Sequence, residues 1–165
     1  MSQRTTELSQ DLLKALEQET PKLAAISESA AETRPDGGQG WSRKQELGHL
    51  IDSATNNRVR FVAAALAGKY TGPTYDGEAW VDLAGYQSMP WKTILDTWFA
   101  LNQALATAIA NIPDNKLTVH CEIGDATAVT LGFLIEDYIL HMQHHIDHLL
   151  AREVSTSYPG AAMGV

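Results

Sequence analysis

Apolar residues along this chain recur mostly at three- and four-residue intervals, the period of one helix face. Leu8, Leu12, Leu16, Leu23 and Ile26 mark a first helix over about 5–34, with good helix formers between them. Thr20-Pro21 interrupts it, and the missing amide donor predicts a kink or a restart there. RPDGGQG (34–40) is a loop, since Pro and three Gly cannot hold a helix. Ser42-Arg43-Lys44-Gln45 opens a second helix with a capping-box pattern. Its stripe of Leu47, Leu50, Ile51, Ala54, Phe61, Val62 and Ala65 runs to about Ala67, and Gly68 suits the left-handed closing position. Residues 68–89 are turn-rich, with a short helix expected around Glu78–Ala84. Their Tyr70, Tyr75, Trp80 and Tyr86 read either as a lid or pocket wall, or as pins holding the loop to the bundle.

A third helix starts near Pro90 and stops before Pro113. Residues 117–129 alternate only in part and are expected to be irregular, with at most a short extended piece. Thr130 caps a fourth helix that runs to about Arg152, and the small, polar tail 155–165 is expected to be loose. The pattern predicts one all-α domain over 1–165, a four-helix bundle with its core at about 5–152 and a longer connection between helices two and three.

Composition narrows the function classes. At 165 residues the chain suits one domain that buries roughly 70% of its unfolded surface without staples. Twelve Lys+Arg against twenty Asp+Glu leave a net charge of −8. That disfavours nucleic acid and anionic membrane surfaces as partners, because both are bound through basic side chains. The single Cys121 excludes an internal disulfide and fits a reducing compartment. With no apolar run long enough to span a bilayer and no signal-peptide core, the expectation is a cytoplasmic protein.

The histidines change the picture. Four of the six, His141, His144, His145 and His148, fall within eight residues of the fourth helix. His141 and His145 share a face one turn apart, the spacing by which a helix offers two imidazoles to one metal. A third ligand has to come from another helix, and His49 is the only histidine in the first half of the chain. Rotating each residue by about 100° places His145 about 60° from the centre of the apolar stripe and His141 about 100° from it. Asp137 and His148 continue that flank. His49 lies opposite its own stripe, on a polar strip with Ser53, Asn56, Asn57 and Arg60. This geometry suits a metal at the bundle edge, with the polar strip lining a cleft. The plainer alternative is a solvated polar face beside a surface histidine cluster. Asp137, one turn before His141, is a candidate to orient that imidazole, and Arg60 to bind an anionic substrate group. Cys121 has no basic neighbour in sequence and reads as a plain thiol.

GWSRKQELGHLIDSATNNRVRF (40–61) followed by DYILHMQHHIDHL (137–149) resembles the DinB-like superfamily of damage-inducible bundle proteins, in its branch of metal-dependent hydrolases. Tyr75–Val81 and Trp91 add to the likeness. The resemblance implies an up-down-down-up four-helix bundle and a divalent metal held by His49, His141 and His145. Many relatives carry Arg-Gly-Gln after the last ligand; this chain has Ile146-Asp147-His148 there. Some members are transferases that use low-molecular-weight thiols as co-substrates.

The reading is therefore a metal-dependent enzyme acting on a small molecule by thiol transfer or hydrolysis. The ion is Zn or Ni, held by His49, His141 and His145, and no general acid or base is identified. Ser53, Asn56, Arg60, Asp137 and His148 are candidates for pocket or supporting positions. The alternative is a non-catalytic metal-binding bundle that dimerises or binds a partner.

Overall fold

The computed structural model describes residues 3–35, 37, 40–154 and 156–158. Four long helices build the frame: α1 (Gln3–Ala24), α3 (Arg43–Ala67), α5 (Trp91–Ala110) and α6 (Leu131–Leu149). Short helices α2 (Glu28–Ala31) and α4 (Gly77–Ala84) lie in the connections. α1 packs on α5, α5 on α3, α3 on α6, and α6 back on α1, which closes the bundle. The centre is filled by Leu12, Leu16, Leu47, Phe61, Trp98, Leu105, Ile135 and Met142, all almost fully buried. Among the described residues no helix is long and apolar enough to cross a membrane.

The second predicted helix is found with the expected ends. Ser42 Oγ accepts from Gln45 N, the Gln45 side chain accepts from Ser42 N, and Gly68 closes the helix at φ +74°. The first behaves differently from expectation. α1 continues through Pro21 to Ala24, and the chain restarts at Ser27, whose hydroxyl accepts from Ala30 N. Tertiary contacts hold this last turn: Leu23 is fully buried and its carbonyl accepts the Trp91 indole N–H at 3.0 Å. They override the local effect of proline. The fourth helix is shorter than expected, ending at Leu149 rather than about Arg152.

Residues 117–129, expected to be irregular, contribute to a small sheet. β1 (Tyr70–Gly72) pairs parallel with β2 (His120–Ile123), which pairs antiparallel with β3 (Val129–Thr130). The alternation is real but brief, with Cys121 and Ile123 buried and His120 and Glu122 exposed. This sheet ties the long connection 68–89 onto the face of the bundle that carries the polar strip of α3. Cys121 is buried, and burial pushes its thiol pKa up to about 11, so it is an inert thiol as expected.

Two aromatics of the connection have separate roles. Tyr86 is a pin: it is buried, and its hydroxyl donates to Asp52 Oδ1 at 2.6 Å. It lies flat on Gly48, where an added Cβ would sit 2.1 Å from the ring. Tyr75 instead lines a cavity. Gly48→Ala should therefore lower stability by about 1–3 kcal/mol, read as the denaturation midpoint. An unchanged midpoint would contradict this packing.

Candidate metal centre

The polar strip of α3 faces inward. His49, Ser53, Asn57 and Arg60 are buried, although they lie opposite the helix's apolar stripe. The connection 68–89 covers them, which a helix-by-helix reading of polarity cannot foresee. The Trp41 ring lies 4.8 Å from the His49 ring, and a Cβ added at Gly77, the first residue of α4, would meet His49 at 3.4 Å. Across this strip stands α6, with His141 and His145 one turn apart.

His49, His141 and His145 converge. One ligand atom from each lies within 4.8 Å of the others. The Nε2 atoms of His49 and His141 are 3.2 Å apart. Two nitrogens bound to one ion at ~2.1 Å lie roughly 3–3.5 Å apart, so this pair already has the required separation. Two of the three second nitrogens are occupied elsewhere. His145 Nδ1 donates to Glu46 Oε1 at 2.7 Å, and His141 Nδ1 faces Ser53 Oγ at 3.4 Å. These contacts turn the Nε2 edges toward the shared point, the usual way a fold orients imidazole ligands. His49 Nδ1 is buried with no partner among the described residues.

Burial holds two of the three histidines in the form a metal needs. It lowers the His49 pKa to about 4, and the neighbouring His145 adds to the effect. His141 is pushed well below the ordinary histidine range, again chiefly by burial and then by His145 and His49. Neutral imidazoles carry the lone pairs that bind metal, so no proton has to be displaced near pH 7. The donor set, its spacing and the neutral state of His49 and His141 fit a divalent ion.

Two contributors were not singled out from sequence. Glu46 is buried in the first turn of α3, where the helix N-terminus favours a carboxylate. Its two oxygens accept from His145 Nδ1 and, at 2.9 Å, from His148 Nδ1. The signal was present: Glu46 precedes His49 by three residues and shares its face. The other is Tyr158. The tail, expected to be loose, folds back over residues 156–158. The Tyr158 ring lies 4.8 Å from His141 and 5.2 Å from His144, and His144 Nδ1 bonds the Thr156 carbonyl at 2.7 Å. The remainder of that tail, 159–165, lies outside the described residues.

The other candidates separate. Ser53, Arg60 and Asp137 line one small cavity with His141, together with Asn57, Tyr75, Leu134 and Tyr138. His148 supports the centre through Glu46. Asn56 does not line this cavity: half-buried, it spends its amide on the Asp52 carbonyl at 2.9 Å. Its neighbour Asn57, a full turn beyond Ser53, takes that place. A second, wider hollow of about 350 Å³ opens beside His145, between Trp41, Glu46, Glu78, His144 and His148.

A family model described as the DinB superfamily matches residues 8–149. A protein of Oceanobacillus iheyensis, named provisionally as a metal-dependent hydrolase, is 24% identical over 110 residues, covering 67% of this chain and 63% of its own length. A protein of Halalkalibacterium halodurans with the same provisional name is 23% identical over 109 residues, covering 66% and 63%. The chain thus spans about 63% of the length of these relatives. Among solved structures, YfiT of Bacillus subtilis superposes with a TM-score of 0.78 at 23% identity, over 95% of this chain and 91% of that one. It is described as a probable metal-dependent hydrolase with an unusual four-helix-bundle topology. The likeness bears out the four-helix-bundle fold expected from the apolar pattern.

His145→Ala should lower the metal content of the purified protein sharply, whereas His144→Ala, whose Nδ1 bonds the tail at Thr156, should leave it intact. Equal losses would mean that the ligand register on α6 is wrong. A second expectation concerns pH. The folded His49 pKa of about 4 lies below its ordinary 6.5, so the unfolded chain binds more protons between those values. The metal-free protein should hold its full stability above about pH 6.5 and lose it as the pH falls toward 4. His49→Gln should flatten this slope in denaturation midpoints measured across that range. A slope identical to wild type would contradict the burial of a neutral His49.

Proposed function

The chain belongs to the DinB superfamily, and on that premise we propose that it is a metal-dependent hydrolase acting on a small molecule. The observation that carries the reading is the convergence of three imidazoles, His49, His141 and His145, on one point, with burial keeping His49 and His141 neutral. The provisional names of its relatives point the same way. Three protein ligands leave at least one coordination position open, the pattern of catalytic rather than structural zinc sites. A divalent ion held there, Zn or Ni, supplies Lewis acidity that brings the ionisation of water or of a thiol toward neutral pH.

The chain's own residues set the conditions. Glu46 fixes His145, Ser53 stands at His141, and Trp41 with the start of α4 shields His49 from water. The same donor set suits a thiolate as well as water, so transfer from a low-molecular-weight thiol is the second activity proposed for this centre. Two observations favour a catalytic over a purely structural role. The core of the bundle is built without the histidines. Hollows also adjoin the cluster on two sides, one beside His141 and one beside His145.

Cobalt(II) tests the reading, because its visible absorption reports its own coordination sphere. One equivalent should bind, and the spectrum should change with pH near neutrality as the open position ionises. A new sulfur-to-cobalt band on adding 2-mercaptoethanol would favour thiol transfer; its absence together with a pH-dependent spectrum would favour hydrolysis alone. A spectrum indifferent to both means a closed site and overturns the catalytic reading in favour of a metal-binding module.

A further inference from the structure

Arg60 is the most unusual charge in the molecule. It lies near the middle of α3, is only 4% exposed, and its pKa is lowered by burial. A buried guanidinium ordinarily has a carboxylate partner, because an unpaired charge out of water is costly. Among the described residues none pairs with it. Its Nη2 donates to the Pro73 carbonyl at 3.2 Å, and the groups that act on it are Tyr75, Tyr70 and Cys121. Its Cζ lies 5.9 Å from the centre of the Tyr75 ring, so the aromatic face steadies the cation without neutralising it. The two glutamates of the His145 side do not reach it.

Arg60 and the metal-facing His141 line the same small cavity. The remaining polar walls are hydroxyl and amide groups and the Asp137 carboxylate. Asn57 Nδ2 donates to the Ser53 carbonyl at 2.9 Å. Asp137 also lines the space, and a tetrahedral oxyanion such as phosphate needs more room there than a planar carboxylate. The space is of the size of one small planar group, about 40 Å³ for the centre of a water-sized sphere. Guanidinium matches the carboxylate fork geometrically and binds it with charge-assisted hydrogen bonds.

We propose that the cavity between Arg60 and His141 is a carboxylate subsite, and that the substrate is a small monocarboxylate whose charged end sits on Arg60 while its reacting end faces the three histidines. This rests on the metal-dependent reading above for the reacting end, but not for the Arg60 contact itself. The subsite explains why a cation is kept unpaired inside the fold: its partner arrives with the substrate.

The test follows the Arg60 Nε–H resonance by ¹⁵N NMR in the full chain, metal-free and zinc-loaded, during titration with acetate. Acetamide, the neutral isostere, and inorganic phosphate are the comparisons, and Arg60→Lys assigns the signal. Acetate at millimolar concentration should shift the resonance, with acetamide and phosphate having at most a tenth of the effect. Arg60→Met should weaken acetate binding by about tenfold or more. If that variant fails to fold, the wild-type comparison of acetate with acetamide decides alone. No movement of the Arg60 signal in either form, equal movement with acetamide or phosphate, or shifts confined to the histidines would overturn the subsite. Failure of the chain to take zinc, with acetate still moving Arg60, would sink the metal reading and leave the subsite standing.

Discussion

The structure turns on the burial of a polar strip inside a helical bundle. α3 carries its apolar stripe into the core and then buries much of the opposite face as well, beneath the connection 68–89 and the small sheet. Burying His49, Ser53, Asn57 and Arg60 removes them from water, and each then needs a partner within the fold or from outside. The consequences differ by group. Imidazoles respond to desolvation by staying neutral, which makes them ligands. A guanidinium cannot do so, and it stays charged. The same covering segment thus prepares both halves of the site.

Charge is arranged on either side of the histidines. On one side Glu46, favoured by its place in the first turn of α3, holds His145 and His148 with its two oxygens. On the other, Arg60 faces the space beside His141. A divalent ion between them would meet three imidazole nitrogens, a carboxylate anchored behind one of them, and a cation set back behind a cavity. Position matters here more than count, since the chain as a whole is acidic.

Much of this was legible in the sequence, for local reasons. The ends of α3 follow from a capping box and a glycine, both read within four residues. That His141 and His145 share a face of α6, apart from His144, follows from the helical period alone. What escaped reading depends on contacts distant in sequence. Pro21 stays helical because Trp91 grips the Leu23 carbonyl, and no local signal reports that. The strands are two to four residues long and exist because the 68–89 connection pairs with 120–123. Tyr158 reaches His141 only because the chain after α6 turns back. Glu46 was visible three residues before His49, yet its value depends on two histidines about a hundred positions away. Asn57 displaces Asn56 from the cavity by a difference in rotation that the polar strip as a whole does not resolve.

X-ray absorption of the protein loaded with one equivalent of zinc tests the central claim most directly, because it counts the imidazoles on the metal and measures their distance. The account predicts three nitrogen ligands from imidazole at ~2.0–2.1 Å, with the remaining coordination supplied by a light atom from solvent. In the His49→Ala protein the imidazole count should fall to two. A wild-type spectrum with two imidazoles or fewer, or one that His49→Ala leaves unchanged, would contradict it.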